Sequence, residues 1–240
     1  MIPLKTRPLA LFGGMMLVAL IVLFPLRLAV GLFGLAGEGL SAREVVGSVW
    51  WGGLNEAHYG NVPLGDVSAG LSPIQLLVGR ARIDVTGQDG AANAGLSGAL
   101  SFSRNTAGMD DVMATIPAGD AFAPVPITSI TLDDVSVRFR DGRCERAEGK
   151  VTASLSATMP QLNLPPTLSG NARCEGGALL IPLASQEAQT ESIAVTIEAD
   201  GKYRAVLTVR PSDPAAGIAL TAAGFRQIGA GYRMTVNGNF

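Results

Sequence analysis

The side chains able to do chemistry are few and scattered. The single histidine, His58 in "EAHYGN", could serve a Ser-His-Asp triad. No serine lies in the G-x-S-x-G elbow such a triad often uses; "GLSGA" (95–99) lacks the final glycine. His58 therefore reads as a turn or surface residue. "GRCERAEGK" (142–150) has the wrong spacing for a phosphate-binding loop. Asp110-Asp111 and Asp133-Asp134 are adjacent pairs. Neighbours on a strand face opposite ways, so neither pair converges on one proton, and exposed turn or edge charge is the better reading. Cys144 and Cys174, with no histidine near them, cannot fill a four-ligand metal site. The expectation is no catalytic residue, no metal and no cofactor.

The elements around these residues explain more. Leu9 to Phe24, "LALFGGMMLVALIVLF", is sixteen residues without a charge. Crossing a bilayer core of ~30 Å takes about 20 helical residues, and Pro8 to Leu26 supplies that with a kink at Pro25. A cleaved signal peptide is the competing reading. The run is long for one, and no clear A-x-A site follows, which favours an uncleaved anchor. Lys5 and Arg7 precede the run and only Arg27 follows closely, so the positive-inside rule leaves the N-terminus in the cytoplasm. The division that follows is 1–8 cytoplasmic, 9–28 transmembrane, 29–40 juxtamembrane linker and 41–240 a periplasmic β-rich domain. Both cysteines then lie in an oxidising space, and an even count there reads as one disulfide, Cys144 to Cys174. Closing a loop of roughly 30 residues is worth about 3–4 kcal/mol in the chain-entropy model. With 18 basic against 20 acidic residues and no basic patch interleaved with aromatics, nucleic acid is excluded as a partner.

After Leu40 the apolar spacing changes to alternation. Strands are predicted over 43–52, 65–72, 80–87, 94–103, 127–141, 150–157, 167–174, 177–184, 191–199, 202–211 and 231–240. "EADGK" (198–202) is the sharpest hairpin signal, suited to a type I′ turn. "SPIQLLVG" (72–79) carries start and stop signals of a short helix, and 213–225 suits another. Segments 104–126 and 158–166 read as loops. Ile130, Leu132, Val135, Val137 and Phe139 alternate but slip phase at Asp133-Asp134, which predicts a β-bulge. The expected fold is mainly β: one N-terminal transmembrane helix, then a strongly curved, mostly antiparallel sheet, sandwich-like.

The ordered motifs resemble the type II secretion system protein N family. After the apolar helix come "VGSVWWGGL" (46–54) and "GLSPIQLLVGRARIDV" (70–85). Two half-motifs with one cysteine each follow, "RCERAEGKVTASL" (143–155) and "LSGNARCEGGALLIPL" (168–183), then "GFRQIGAGYRMTVNGNF" (224–240). The likeness runs through nearly the whole chain. It departs at Trp51, where a smaller or polar residue is expected. The resemblance implies an inner-membrane, single-pass accessory component of the secretion apparatus, which moves folded periplasmic proteins across the outer membrane. It implies no enzymatic activity, and partners among the system's inner-membrane or periplasmic components together with the lipid bilayer. The alternative is an AsmA-type envelope protein that binds or conveys lipid along an apolar groove.

Four residues are candidates for packing or contact. If "REVVGSVWWG" is a strand, Trp50 and Trp51 face opposite ways. Either one ring meets the core and the other a membrane interface or partner, or both are covered within the domain. Leu76 and Leu77 suit a helix capping a sheet edge.

Overall fold

The computed structural model describes residues 8–32, 39–59, 62–88, 95–117, 127–156, 165–185, 191–211, 216–222 and 224–239. Two helices come first, α1 (Pro8–Val22) and α2 (Leu26–Leu32). The sheet begins with β1 (Leu40–Ser41), β2 (Glu44–Gly47), β3 (Gly52–Tyr59) and β4 (Val62–Leu71). Helix α3 (Pro73–Leu77) leads into β5 (Ala81–Gly87), β6 (Ser97–Phe102), β7 (Thr106–Pro117), β8 (Ile127–Arg140) and β9 (Arg143–Leu155). The second half holds β10 (Thr167–Asn171), β11 (Arg173–Glu175), β12 (Ala178–Ala184), β13 (Glu191–Ile197) and β14 (Lys202–Val209). Helix α4 (Ala216–Ala222), β15 (Arg226–Ile228) and β16 (Gly231–Asn239) complete it.

The strands form one unclosed sheet in near-sequential order, from β1 through β3 to β14, then β16 and β15, with β2 on β3 and β11 on β12. Each neighbouring pair is antiparallel, since each connection only has to turn the chain back on itself. The fold is thus mainly β and antiparallel, as the alternation predicts.

The apolar N-terminal run departs from one kinked span over 9–28. Helix α1 stops after fifteen residues, about 22 Å at 1.5 Å per residue. Proline has no N–H to continue a helix, so the chain breaks before Pro25. It restarts as α2 with the Leu28 and Ala29 N–H groups donating to the Pro25 carbonyl at 3.1 and 3.3 Å. No helix among the described residues is long and apolar enough to cross a membrane.

The predicted phase slip is present: the β8–β9 register shifts between Asp133 and Ser136. Similar shifts occur between Leu54 and Ala57 on β3 and between Met109 and Val112 on β7. Glu56, Asp111 and Asp134 sit in these three bulges at φ 48°, 52° and 53°. A bulge bends its strand and increases twist, which lets a sheet this wide curve.

Two expectations about connections change. Much of 104–126 is strand β7, hidden by Gly108 and the Asp110-Asp111 bulge, while 118–126 lies outside the described residues, as do 158–164 of the second predicted loop. The hairpin at 198–202 forms, but only Gly201 has positive φ, so the turn is not type I′. Among the described residues, the two-residue turns with positive φ at both positions are Asp141-Gly142, joining β8 to β9, and Gly176-Gly177, joining β11 to β12.

One buried cluster runs across β8 to β16 and includes Val137, Val151, Leu168, Ile193, Leu207 and, from α4, Leu220. A smaller cluster of Leu54, Ala57 and Val67 lies under the first strands, with Leu26 of α2 packed against it. Helix α2 thereby belongs to the sheet's core rather than to α1.

Gly149 shows what the β8 bulge demands of its neighbour. It sits at φ 103°, and a Cβ there would meet the Asp134 carbonyl oxygen and lie 2.5 Å from Val135 Cα. At Gly142, φ is 73° but an added Cβ would meet no atom beyond its chain neighbours within 4 Å. Gly142→Ala is expected to lose about 1–2 kcal/mol from the left-handed conformation alone. Gly149→Ala should lose clearly more, because backbone must also move. Urea denaturation of the two variants, read by circular dichroism, checks the order.

Candidate functional site: the junction of helix and sheet

The residues 48–51 form a turn between β2 and β3, not the middle of a strand. Gly47, at φ 81°, starts it. The tryptophans consequently do not alternate across a sheet. The Trp50 side chain is half-buried, and its indole Nε1–H donates to the Ile21 carbonyl at 2.9 Å. Trp51 is 79% exposed.

The Ile21 bond follows from the break above. In a continuous helix the Ile21 carbonyl would accept from the N–H four residues on, which is Pro25 and has none. The Phe24 N–H reaches it only at 3.4 Å. The indole supplies a second donor from 29 residues away. Next to it, the Val49 N–H donates to the Phe24 carbonyl at 3.0 Å, and Pro25 pairs with Ser48 as an isolated bridge. The chain end of α1 is therefore tied to the turn between β2 and β3 at both Ile21 and Phe24.

Small residues make this approach possible. A Cβ on Gly52 would meet Leu26 Cδ2 and lie 2.9 Å from the Ser48 carbonyl oxygen. A Cβ on Gly70 would lie 2.7 Å from the Trp50 carbonyl oxygen. The Leu71 N–H completes the seam by donating to the Val49 carbonyl at 2.9 Å.

Leu76 and Leu77 lie on α3, which begins two residues after Leu71. The helix has no buried residue. It does not cap the edge with its leucines: Leu77 is 88% exposed, while Gln75 is half-buried.

Cys144 on β9 and Cys174 on β11 are joined as a disulfide, with Cα atoms 5.5 Å apart. Cys144 is buried, and its N–H donates to the Gly177 carbonyl at 2.7 Å. The bridge fixes the short strand β11, which pairs only with β12, to the long β8–β9 hairpin. It lies several strands from Trp50, so the candidate residues do not form one site.

Of the remaining polar residues, His58 stands apart and several others gather in a cleft. His58 is exposed on β3, its Nδ1 2.9 Å from the Glu56 carbonyl oxygen. Asp110 and Asp111 line a cleft of about 420 Å³ with Arg82, Arg138 and Ser136, a grouping the sequence analysis missed because the bulge conceals the strand pairing. Arg82 Nη1 lies 3.5 Å from Asp110 Oδ2, and Arg138 Nη2 lies 3.9 Å from Asp110 Oδ1. The Asp111 N–H donates to Ser136 Oγ, whose hydroxyl donates back to Asp111 Oδ1. No group of three or more potential metal ligands occurs among the described residues.

A protein-family model described as type II secretion system (T2SS), protein N, matches residues 38–235. The chain belongs to that family. It is also similar to the type II secretion system protein N of Vibrio cholerae serotype O1 (strain ATCC 39315 / El Tor Inaba N16961), 24% identical over 213 residues that cover 84% of each chain. No solved structure matches it. The family match takes in the tryptophan turn, α3 and both cysteines, and it begins beyond α2.

Three consequences follow for this family member. Gly52→Ala should pry α2 from the sheet and speed amide exchange at Val49 and Leu71, measured by hydrogen–deuterium exchange. Trp50→Phe keeps a ring but drops one hydrogen bond, so it should lose about 0.5–1.5 kcal/mol and affect the same amides less. Replacing both cysteines by serine should lower stability by about 3–4 kcal/mol, read from the urea midpoint of the oxidised parent against the variant.

Proposed function

We propose that the protein is a non-enzymatic, inner-membrane scaffold of the type II secretion apparatus. It supports export of folded proteins by contacting other components through its sheet. The observation that carries this reading is the family match across nearly all of the sheet, since a secretion-system component acts within an assembly. Helix α1 supports the membrane part. It is apolar on every side and exposed from Leu11 to Val22, a state that water penalises and lipid does not. Its length falls short of a typical span, but a short span is accommodated by local bilayer thinning and by flanking basic residues that reach the interface. Lys5 and Arg7 are in the right place for that, and they argue for a cytoplasmic N-terminus with the sheet in the periplasm. The disulfide agrees with an oxidising compartment. Arginines and carboxylates line the described cleft, so it offers no support for the lipid-conveying alternative.

Photo-crosslinking in living cells from exposed strand positions such as Thr115 and Met113 tests the reading. It should capture secretion-system proteins, and deletion of the gene should weaken export. Capture of none, together with unchanged export in the deletion strain, rejects it.

A further inference from the structure

Helix α3 is built inside out. Ile74, Leu77 and Val78 stand at i, i+3 and i+4, so they share one face of the turn. That face is exposed, at 73%, 88% and 70% for the three side chains. The polar Gln75 points inward and is half-buried. A short surface helix normally does the reverse, because burying the apolar face is what holds it in place.

Its position in the sheet says what covers it. Helix α3 joins β4 to β5 at the end of the sheet where Leu71 hydrogen-bonds to Val49 and Ser72 to the Arg82 carbonyl. The turn 48–51 stands at that same end, tied to Phe24 and Ile21 at the foot of α1. Trp51 therefore projects where the apolar helix leaves the sheet. Arg80, also exposed, lies three residues past the end of α3. Exposed aliphatic residues, a tryptophan and an arginine beside an apolar helix are the composition of a segment lying in the headgroup layer.

We propose that Trp51 and the Ile74–Leu77–Val78 face of α3 rest in the interface of the same bilayer that α1 enters. This second contact would hold the end of the sheet against the membrane instead of letting it swing on α1. The inference rests on the anchoring reading of α1, and the test separates the two.

The full chain carries no free thiol apart from its disulfide pair, so single-cysteine variants can be labelled selectively with bimane. Leu77→Cys reports on α3, Leu17→Cys on α1, and Met113→Cys, on an exposed face of β7, serves as the reference. Each is reconstituted in vesicles of phosphatidylethanolamine and phosphatidylglycerol with brominated acyl chains. Leu77 is almost wholly exposed, so its replacement leaves packing intact. Bromine should quench the label at Leu77→Cys and at Leu17→Cys severalfold more than at Met113→Cys. Quenching at Leu17→Cys but only the reference level at Leu77→Cys overturns the α3 contact and leaves the anchor standing. Reference-level quenching at both overturns the anchor and the contact together.

Discussion

One missing proton donor organises the N-terminal half of the molecule. Pro25 cannot supply an N–H to the carbonyl of Ile21, and a helix end with unpaired carbonyls must find donors elsewhere. Here the donors come from the loop between the first two strands that pair lengthwise: Trp50 Nε1 to Ile21 and the Val49 N–H to Phe24. The direction of α1 is thus set by hydrogen bonds to the sheet. Helix α2 adds Leu26 to the first apolar cluster, which commits the chain on the far side of the break to the same body. The glycines at 52 and 70 belong to this arrangement, since either Cβ would occupy the space the seam needs.

The sheet faces a different constraint. A single antiparallel sheet of this width has two edges and must twist, and its strands are not equal in length. The long strands β7, β8 and β9 lie in the middle, and the edges are short, two residues in β1 and three in β15. Short edges limit pairing with other chains. Bulges interrupt β3, β7 and β8, and Gly149 yields space to the Asp134 backbone. The disulfide then fastens β11 to β9 next to the point where β10 pairs with β12 at Ser169 and Ala184.

Alternation of apolar residues made most of the strands legible, including the bulge at Asp133-Asp134, because a phase slip leaves a mark whenever one face is buried. Strand β7 was not legible. Its glycine fits against the Val137 carbonyl, and its Asp pair follows backbone geometry, so both look like loop residues when read locally. The tryptophan turn was misread for the opposite reason. "VVGSVWWG" is rich in strand-forming residues, and nothing local reveals that the chain reverses there to meet a helix end some 29 residues earlier. The roles of Trp50 and Trp51 depend on that long-range pairing. The inversion of α3 was equally hidden: its start and stop signals are clear, but which face looks outward depends on the strands it joins.

The same distinction applies to the acidic residues, whose duties in the fold are set by the backbone around them. Glu56, Asp111, Asp134 and Asp141 are the non-glycine residues at positive φ among those described, each at a bulge or a tight turn. Asp66 accepts the N–H of Glu56 at 2.7 Å, and Ser136 accepts that of Asp111 at 2.9 Å, so polar side chains satisfy backbone groups that the bulges displace from the ladder. In the exposed β13–β14 hairpin, a hydrogen bond from the Lys202 ammonium holds the Asp200 carboxyl below its ordinary pKa, and Asp200 holds Lys202 above its own. A carboxylate used to bend a strand or close a turn is oriented by the backbone it serves, and that requirement is set one residue at a time.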